Sequence, residues 1–519
     1  MGAPASLVLT GGRLITLDSA FPVADTLLVQ KDRIAQVGNS RALRQELGAA
    51  GEVIDLKGRT CLPGFIDPHV HFIATGMVHF LVDLTAARRL PEALARLRQA
   101  AAAAAPGQWV MAQGLAAGLL QGEERRMPNR PGLDSVAADR PIFVGERTGH
   151  ASAANSKAFE ILAVPESTNG LTRDANGEPT GIFVAEANRL ASDRADQHFA
   201  EQIGYERILA AASQEAVQAG LTTVHALDGA RPADDPGVLA MLRRDPAAAP
   251  RILIYYQTRQ VEAALNLGLP RIGGCSACAL DGAFTPRTAR LLEPYPDGAG
   301  GRGSLYFEDG GLLEFFQGAH GAGLQICVHC VGDGAVEQAL TAFERVLGAL
   351  PRRDHRHRIE HAELITPAQI QRAKRPEVAF SIQPAFNHFW RHDQFYPPVI
   401  GMDRAGRVDP IRTLVESGLL IGAGSDSPVT PLRPLLGVHS AVNHSNRAER
   451  VDPLTALRLF TSNGARLGFV EHEKGSLTPG KLADLVVLGA DPLQVDPGEI
   501  KDIPVELTIR GGRVVYAAS

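Results

Sequence analysis

The chain reads as an α/β protein: a (β/α)8 TIM-like barrel with a small β-sandwich domain formed by both termini and an insertion near the barrel mouth. Three observations predict this. From Glu201 onward, short apolar strands alternate with helices, the pattern of parallel strands joined by crossover helices. Histidines and aspartates recur at the C-terminal ends of those strands, the rim where a barrel gathers its chemistry. Both chain ends are rich in short strands around glycine turns, unlike the middle. A doubly wound open sheet is the alternative, but no glycine-rich phosphate loop follows any strand. The predicted divisions are 1–61 and 470–519 for the two parts of the β domain and 62–469 for the barrel, with the insertion at about 75–215.

Taken in order, residues 6–18 predict two strands around Gly11-Gly12, and residues 24–37 and 52–56 add further strand patterns. Residues 483–488 and 505–516 mirror them at the other end. Residues 91–105 predict a helix, opened by Pro91 and closed by Pro106-Gly107. From Trp109 to about Ala200 the pattern is irregular, with turn residues between short apolar runs. Alternation then becomes regular: a helix over 201–219 closed by Gly220, a strand over 221–225, a helix over 236–244 and a strand over 251–256. Helices over 311–320, 334–350, 366–374 and 411–417 lead into or follow strands at 324–329, 357–361, 378–382 and 419–426.

The 519 residues are 45% hydrophobic and 21% charged, enough for a large core and more than one domain. A net charge of −5 argues against a dedicated nucleic-acid binder. No apolar run approaches the roughly 18 residues that span a bilayer, and residues 1–19 lack the basic start and apolar stretch of a signal peptide. Five cysteines do not make a disulfide framework. A cytoplasmic protein with a small-molecule substrate and no nucleic-acid or membrane partner is expected.

The chemistry centres on Leu62-Pro63-Gly64-Phe65-Ile66-Asp67-Pro68-His69-Val70-His71. A strand sends alternate side chains to one face, so His69 and His71 point together and can grip one metal ion. Imidazole suits zinc, iron, nickel or copper, so the pair leaves the metal open. His225, Asp281, His329, His361 and Asp426 follow at successive strand ends. In the insertion, His150 and Asn155 either face a substrate or are satisfied loop and capping residues. His355 and His357 lie among arginines, a setting that disfavours a cation and reads as a solvated loop.

In that order, and with Val328-His329-Cys330-Val331-Gly332-Asp333-Gly334-Ala335, Arg358-Ile359-Glu360-His361-Ala362 and Gly424-Ser425-Asp426-Ser427-Pro428-Val429, the sequence resembles the amidohydrolase superfamily over nearly its whole length. Asp281-Gly282, Thr461-Ser462-Asn463-Gly464-Ala465 and the run 475–486 add to the match, and together the strings look like the branch containing N-substituted formamide deformylases. The resemblance implies that His69 and His71 hold a divalent metal, most readily zinc, with Asp426. It implies that His329 and His361 hold a second metal, or contact substrate if one ion is bound. Asp426 is the implied catalytic group, taking the proton of the attacking water. His150, Asn155, Asp281 and His225 are candidates for substrate binding. The implied reaction is hydrolysis of a carbon–nitrogen bond other than a peptide bond, in an N-acyl or N-formyl amine. The alternatives are a deaminase or cyclic-amide hydrolase on the same barrel, or a metal-binding regulatory protein without catalysis. The resemblance also admits a homodimer, although no stretch of sequence marks an interface.

The segment before Asp281 departs from the family. Many relatives with two metals bridge them through a lysine carbamate there, but residues 272–281 contain no lysine. One ion is therefore favoured over two, unless Cys275 or Cys278 supplies the bridge. The pairs Cys275/Cys278 and Cys327/Cys330 mimic a four-thiolate zinc site, but both lie in apolar strand-like runs, so packing as small apolar side chains is the expectation.

Overall fold

The computed structural model describes residues 6–39, 51–117, 120–121, 126–147, 149, 151–229, 236–296, 301–391 and 393–518. The chain forms two compact units. One comprises Met1–Thr75, Ala212–Ala230 and Leu239–Ser519; the other comprises Gly76–Ala211 and Arg231–Val238.

The first unit contains an eight-stranded parallel barrel. Its strands are β1 (Phe65–Val70), β2 (Leu221–Asp228), β3 (Arg251–Tyr256), β4 (Arg271–Ala279), β5 (Gln325–Cys330), β6 (Arg358–His361), β7 (Ala379–Ile382) and β8 (Ile421–Ala423). They pair in chain order. The last strand is short, and the ring is completed beyond it: Asp426 N donates to His69 O at 2.8 Å, and His71 N donates to Ser427 O at 2.9 Å. The closing hydrogen bonds thus fall at the rim, on the residues the sequence marks as chemical.

The helices obey the sequence locally. Pro367–Lys374 starts with a capping box, in which Thr366 and Gln369 satisfy each other's backbone amides. Asp333–Ala349 buries Val336, Leu340 and Phe343 along one face. Strands from the chain ends build two more sheets. One has four strands, Ser6–Thr10, Thr26–Gln30, Arg33–Gly38 and Gly51–Asp55. The other has six and pairs the ends directly, with Thr60–Pro63 antiparallel to Leu485–Leu488. Leu9, Leu27 and Val29 of the first share an apolar cluster with Leu485, Val487 and Ile509 of the second.

Two expectations are corrected. The stretch expected to be irregular carries five strands of a six-stranded mixed sheet, including Val110–Leu115, Ile142–Glu146, Ala151–Ala154 and Pro179–Val184, over a core with Leu90, Leu97 and Ile142. Its strands are short and split between parallel and antiparallel neighbours, so no single period marks them. The helix expected over 201–219 is two helices, Ala185–Ile203 and Tyr205–Gln218, because Gly204 takes φ +87° and breaks the ladder.

Candidate metal centre

The strand ends bring His69, His71, Cys275, His361 and Asp426 together. The candidate ligand atoms of His69, His71 and Cys275 lie within 4.8 Å of one another, as do those of His69, His361 and Asp426. Asp426 Oδ1 is 3.1 Å from Nε2 of both His69 and His71. Cys275 Sγ is 3.3 Å from His69 Nε2 and 3.5 Å from His361 Nε2. The His329 ring stands 4.6 Å, centroid to centroid, from that of His361.

Each imidazole is held by its other nitrogen. His69 Nδ1 meets Glu360 Oε2 at 2.5 Å, His71 Nδ1 donates to Leu227 O at 3.1 Å, and His361 Nδ1 meets Gln383 Oε1 at 2.7 Å. His329 Nδ1 faces Asp281 Oδ1 at 3.4 Å. A proton fixed on Nδ1 leaves the Nε2 lone pair free for a cation, the usual arrangement behind a metal-bound histidine.

Two backbone features create the convergence. Strand alternation puts Arg358 and Glu360 on one face of β6 and would turn His361 away, but His361 takes φ +69° and joins them. Asp426 likewise takes φ +57°. Left-handed backbone at a non-glycine residue costs about 1–3 kcal/mol and persists where the surroundings enforce it.

The electrostatics are those of interleaved opposite charges. Burial pushes the Cys275 thiol up, but the His69 and His361 imidazoles bring it well below its usual range. Burial opposes ionisation of Asp426 too, yet His69 and His71 hold its carboxyl well below the usual range. Burial works against protonating His71, while Asp426 and Cys275 carry it up to about 10. For His329, burial is outweighed by Asp281 and Cys275, which carry it up to about 9. Anionic oxygen and sulfur set among imidazole nitrogens is a donor set that fits a divalent cation, and Asp426 Oδ1 is buried without a hydrogen-bond partner of its own.

The other sequence candidates are placed differently. Asp281 accepts from the backbone amides of Arg290, Val331 and Gly332, so its carboxylate ties loops together beneath His329. His225 is buried, stacks on Tyr255 and accepts from Arg358 Nη1 at Nδ1; burial and that guanidinium hold it well below its usual pKa. Asn155 caps the helix Ser156–Leu162, accepting from Ala158 N and donating to Ala137 O and Arg140 O, which uses both ends of its carboxamide. His150 lies outside the described residues.

Two further readings are corrected. His355 and His357 are buried, not solvated: His357 accepts from Ile326 N and meets His320 at 2.8 Å, while His355 donates to Pro376 O. Cys275 is not a packing residue but points among the histidines, whereas Cys278, Cys327 and Cys330 are buried as expected.

Sequence reasoning missed Glu360 and Arg358. Both are fully buried; Arg358 lies 2.5 Å from Glu360 Oε1, donates to Pro68 O and covers the Tyr255 ring at 4.0 Å. Barrel interiors are ordinarily filled with branched apolar side chains. The signal was therefore present: an inward-facing Arg-x-Glu on a barrel strand needs a polar partner, and His69 is one.

The sequence profile of the amidohydrolase family matches residues 52–516. The chain belongs to the amidohydrolase family. It is 29% identical to YtcJ of Bacillus subtilis (strain 168), over 98% of this chain and 99% of that protein. It is 26% identical to the N-substituted formamide deformylase of Arthrobacter pascens, over 98% of each. Among solved structures, an uncharacterised metal-dependent hydrolase from Pyrococcus furiosus superposes with a TM-score of 0.78 at 28% identity, covering 94% of this chain and all of that one. This amidohydrolase is accordingly a metal-dependent hydrolase with an α/β barrel. No described helix is long and apolar enough to cross a membrane.

Proposed function

We propose that this amidohydrolase cleaves the carbon–nitrogen bond of an N-formyl or N-acyl amine, a small molecule and not a peptide. The observation that carries the reading is Asp426 Oδ1 standing 3.1 Å from two imidazole nitrogens whose opposite nitrogens are already engaged. The similarity to N-substituted formamide deformylase supports the substrate class. His69, His71 and Asp426 would hold a divalent ion, zinc by the chemistry of the donors, with His329 and His361 beside it. When bound, the ion polarises the scissile carbonyl and lowers the pKa of water.

The chain's own groups do the rest. Asp426 accepts the proton of the attacking water and returns it to the amine that leaves. Glu360 and Leu227 O keep His69 and His71 in the orientation that presents Nε2. The chain so read comprises the barrel, an insertion in its sequence at about 75–215, and a β sandwich made from the two terminal sheets.

Metal analysis followed by a screen of N-formyl, N-acetyl and cyclic amides tests the reading. Hydrolysis of the N-formyl or N-acetyl amines, lost with a chelator and restored by zinc, manganese or cobalt, is expected. Asp426→Asn should cut turnover at least about a thousandfold. Turnover confined to cyclic amides, or to none of these despite bound metal, rejects the substrate class. Near-normal turnover in Asp426→Asn removes Asp426 as the proton carrier.

A further inference from the structure

We infer that Cys275, as a thiolate, is an anionic ligand shared by two divalent-ion positions, one with His69, His71 and Asp426 and the other with His329 and His361; this rests on the metal-dependent reading above.

The first observation is the local fold of β4. Gly273 and Gly274 pair in register with Cys327 and Val328, but the next pairing is Ala279 with His329, so residues 275–278 bulge out of the ladder. The bulge is built, not frayed: Ser276 N donates to Gln257 Oε1 at 2.6 Å, and Gln257 Nε2 donates to Leu227 O at 2.5 Å. Leu227 O also holds His71. One side chain therefore ties the bulge to the backbone that orients a candidate ligand, and Cys275 opens the bulge at its inward edge.

The second observation is distance. With zinc bonds of about 2.3 Å to sulfur and about 2.0–2.1 Å to nitrogen, a thiolate and an imidazole sharing one tetrahedral ion sit about 3.6 Å apart. Cys275 Sγ lies 3.3 Å from His69 Nε2 and 3.5 Å from His361 Nε2, the edges of two such polyhedra meeting at the sulfur. His69 belongs with His71 and Asp426, whereas His361 neighbours His329. The remaining thiols are elsewhere: Cys278 Sγ donates to Thr258 O at 3.4 Å, and Cys61, Cys327 and Cys330 are fully buried.

The third is chemical need. A pair of divalent ions close together requires an anion between them. The strand preceding Asp281 has no lysine to form a carbamate, and Cys275, on that same strand and 3.3 and 3.5 Å from one imidazole of each position, is placed to replace it. The thiol releases its proton to solvent as the ions bind, as every thiolate ligand does.

The full chain, stripped and reconstituted with cobalt(II), tests this without recourse to activity. Wild type is expected to take up two equivalents and to show thiolate-to-cobalt charge-transfer absorption in the near ultraviolet. Cys275→Ser should lose that absorption and the second equivalent. Cys275→Asp should regain the second equivalent without the absorption, since a carboxylate also bridges. Cys278→Ser should match wild type. Should the Cys275 variants fail to fold, alkylation of wild type gives the answer: bound metal should protect Cys275 from iodoacetamide, and chelation should expose it. Two equivalents retained by a folded Cys275→Ser, a single equivalent in wild type, or alkylation of Cys275 unaffected by metal overturns the shared thiolate while leaving metal-dependent hydrolysis standing. No uptake of cobalt, zinc or manganese by wild type overturns both.

Discussion

Glu360 sits between an imidazole and a guanidinium that water never reaches. Its Oε2 meets His69 Nδ1 at 2.5 Å, its Oε1 lies 2.5 Å from the Arg358 guanidinium, and all three side chains are fully buried. The carboxylate therefore orients a candidate ligand and neutralises a buried cation at once. Glu360→Gln keeps the shape but removes the charge, leaving Arg358 without a counter-ion. Removing one partner of a buried pair costs about 3–5 kcal/mol, and losing the partner behind a metal-bound histidine weakens metal affinity about 10–100-fold. Both effects are expected, read by denaturant unfolding and by metal titration against a competing chelator. Unchanged affinity in a destabilised variant would leave Glu360 a structural partner only. At this scale the sequence was partly legible. His69, His71 and Asp426 stood out because an ionisable residue at a barrel strand end has no packing role. Cys275 was named with Cys278 as a possible bridge but read as packing, because a cysteine in an apolar run looks like any small core residue, and only the bulge reveals where its sulfur points.

The bulge in β4 belongs to the scale of elements. Gly273 takes φ +105°, and a Cβ there would stand 1.9 Å from Cys327 O on the neighbouring strand. No side chain fits without parting β4 from β5, and the backbone angle itself excludes L residues. Gly273→Ala should therefore destabilise the chain by more than about 3 kcal/mol. Gly268 also has positive φ, +62°, but meets nothing within 4 Å, so Gly268→Ala should cost only about 1–2 kcal/mol. A comparison of apparent melting temperatures separates the two; equal losses would mean that backbone angle alone, not the approach of β5, sets the cost. The barrel strands and helices were readable because glycine and proline punctuate a regular alternation, and Thr366-Pro367 with Gln369 spelled out a helix start. Gly273-Gly274 carried no such message, since a glycine pair does not show from sequence that a detour begins within a strand.

Across the whole of the first unit, the terminal sheet is fastened to the barrel by buried charge. Lys474 Nζ donates to Thr223 Oγ1 of β2 at 2.8 Å and to Asp484 Oδ2 at 3.1 Å, while Arg251 of β3 approaches the same carboxylate at 3.0 Å. Asp484 lies just before the strand Leu485–Leu488, so one carboxylate links two barrel strands to the sheet that unites the chain ends. Matching β-rich ends were legible in the sequence; this fastening was not, because a lysine and an aspartate ten residues apart give no sign of being buried together. Burial lowers the Lys474 pKa to about 8, with Asp484 pulling the other way and Arg251 adding to the depression. The unfolded chain therefore holds this proton more tightly than the folded one. Stability tied to Lys474 is fully present above its unfolded value of about 10.4 and is lost as pH falls through about 8. Lys474→Met removes the titration and leaves Asp484 paired with Arg251, so the variant should fold. Relative to it, wild type should gain stability as pH rises between those two values, by about 1.4 kcal/mol for each unit of depression. Paired unfolding curves across that range measure the gain. A difference between wild type and Lys474→Met that stays flat, or falls, with rising pH would mean that the buried ammonium is held by its partners as comfortably as by water.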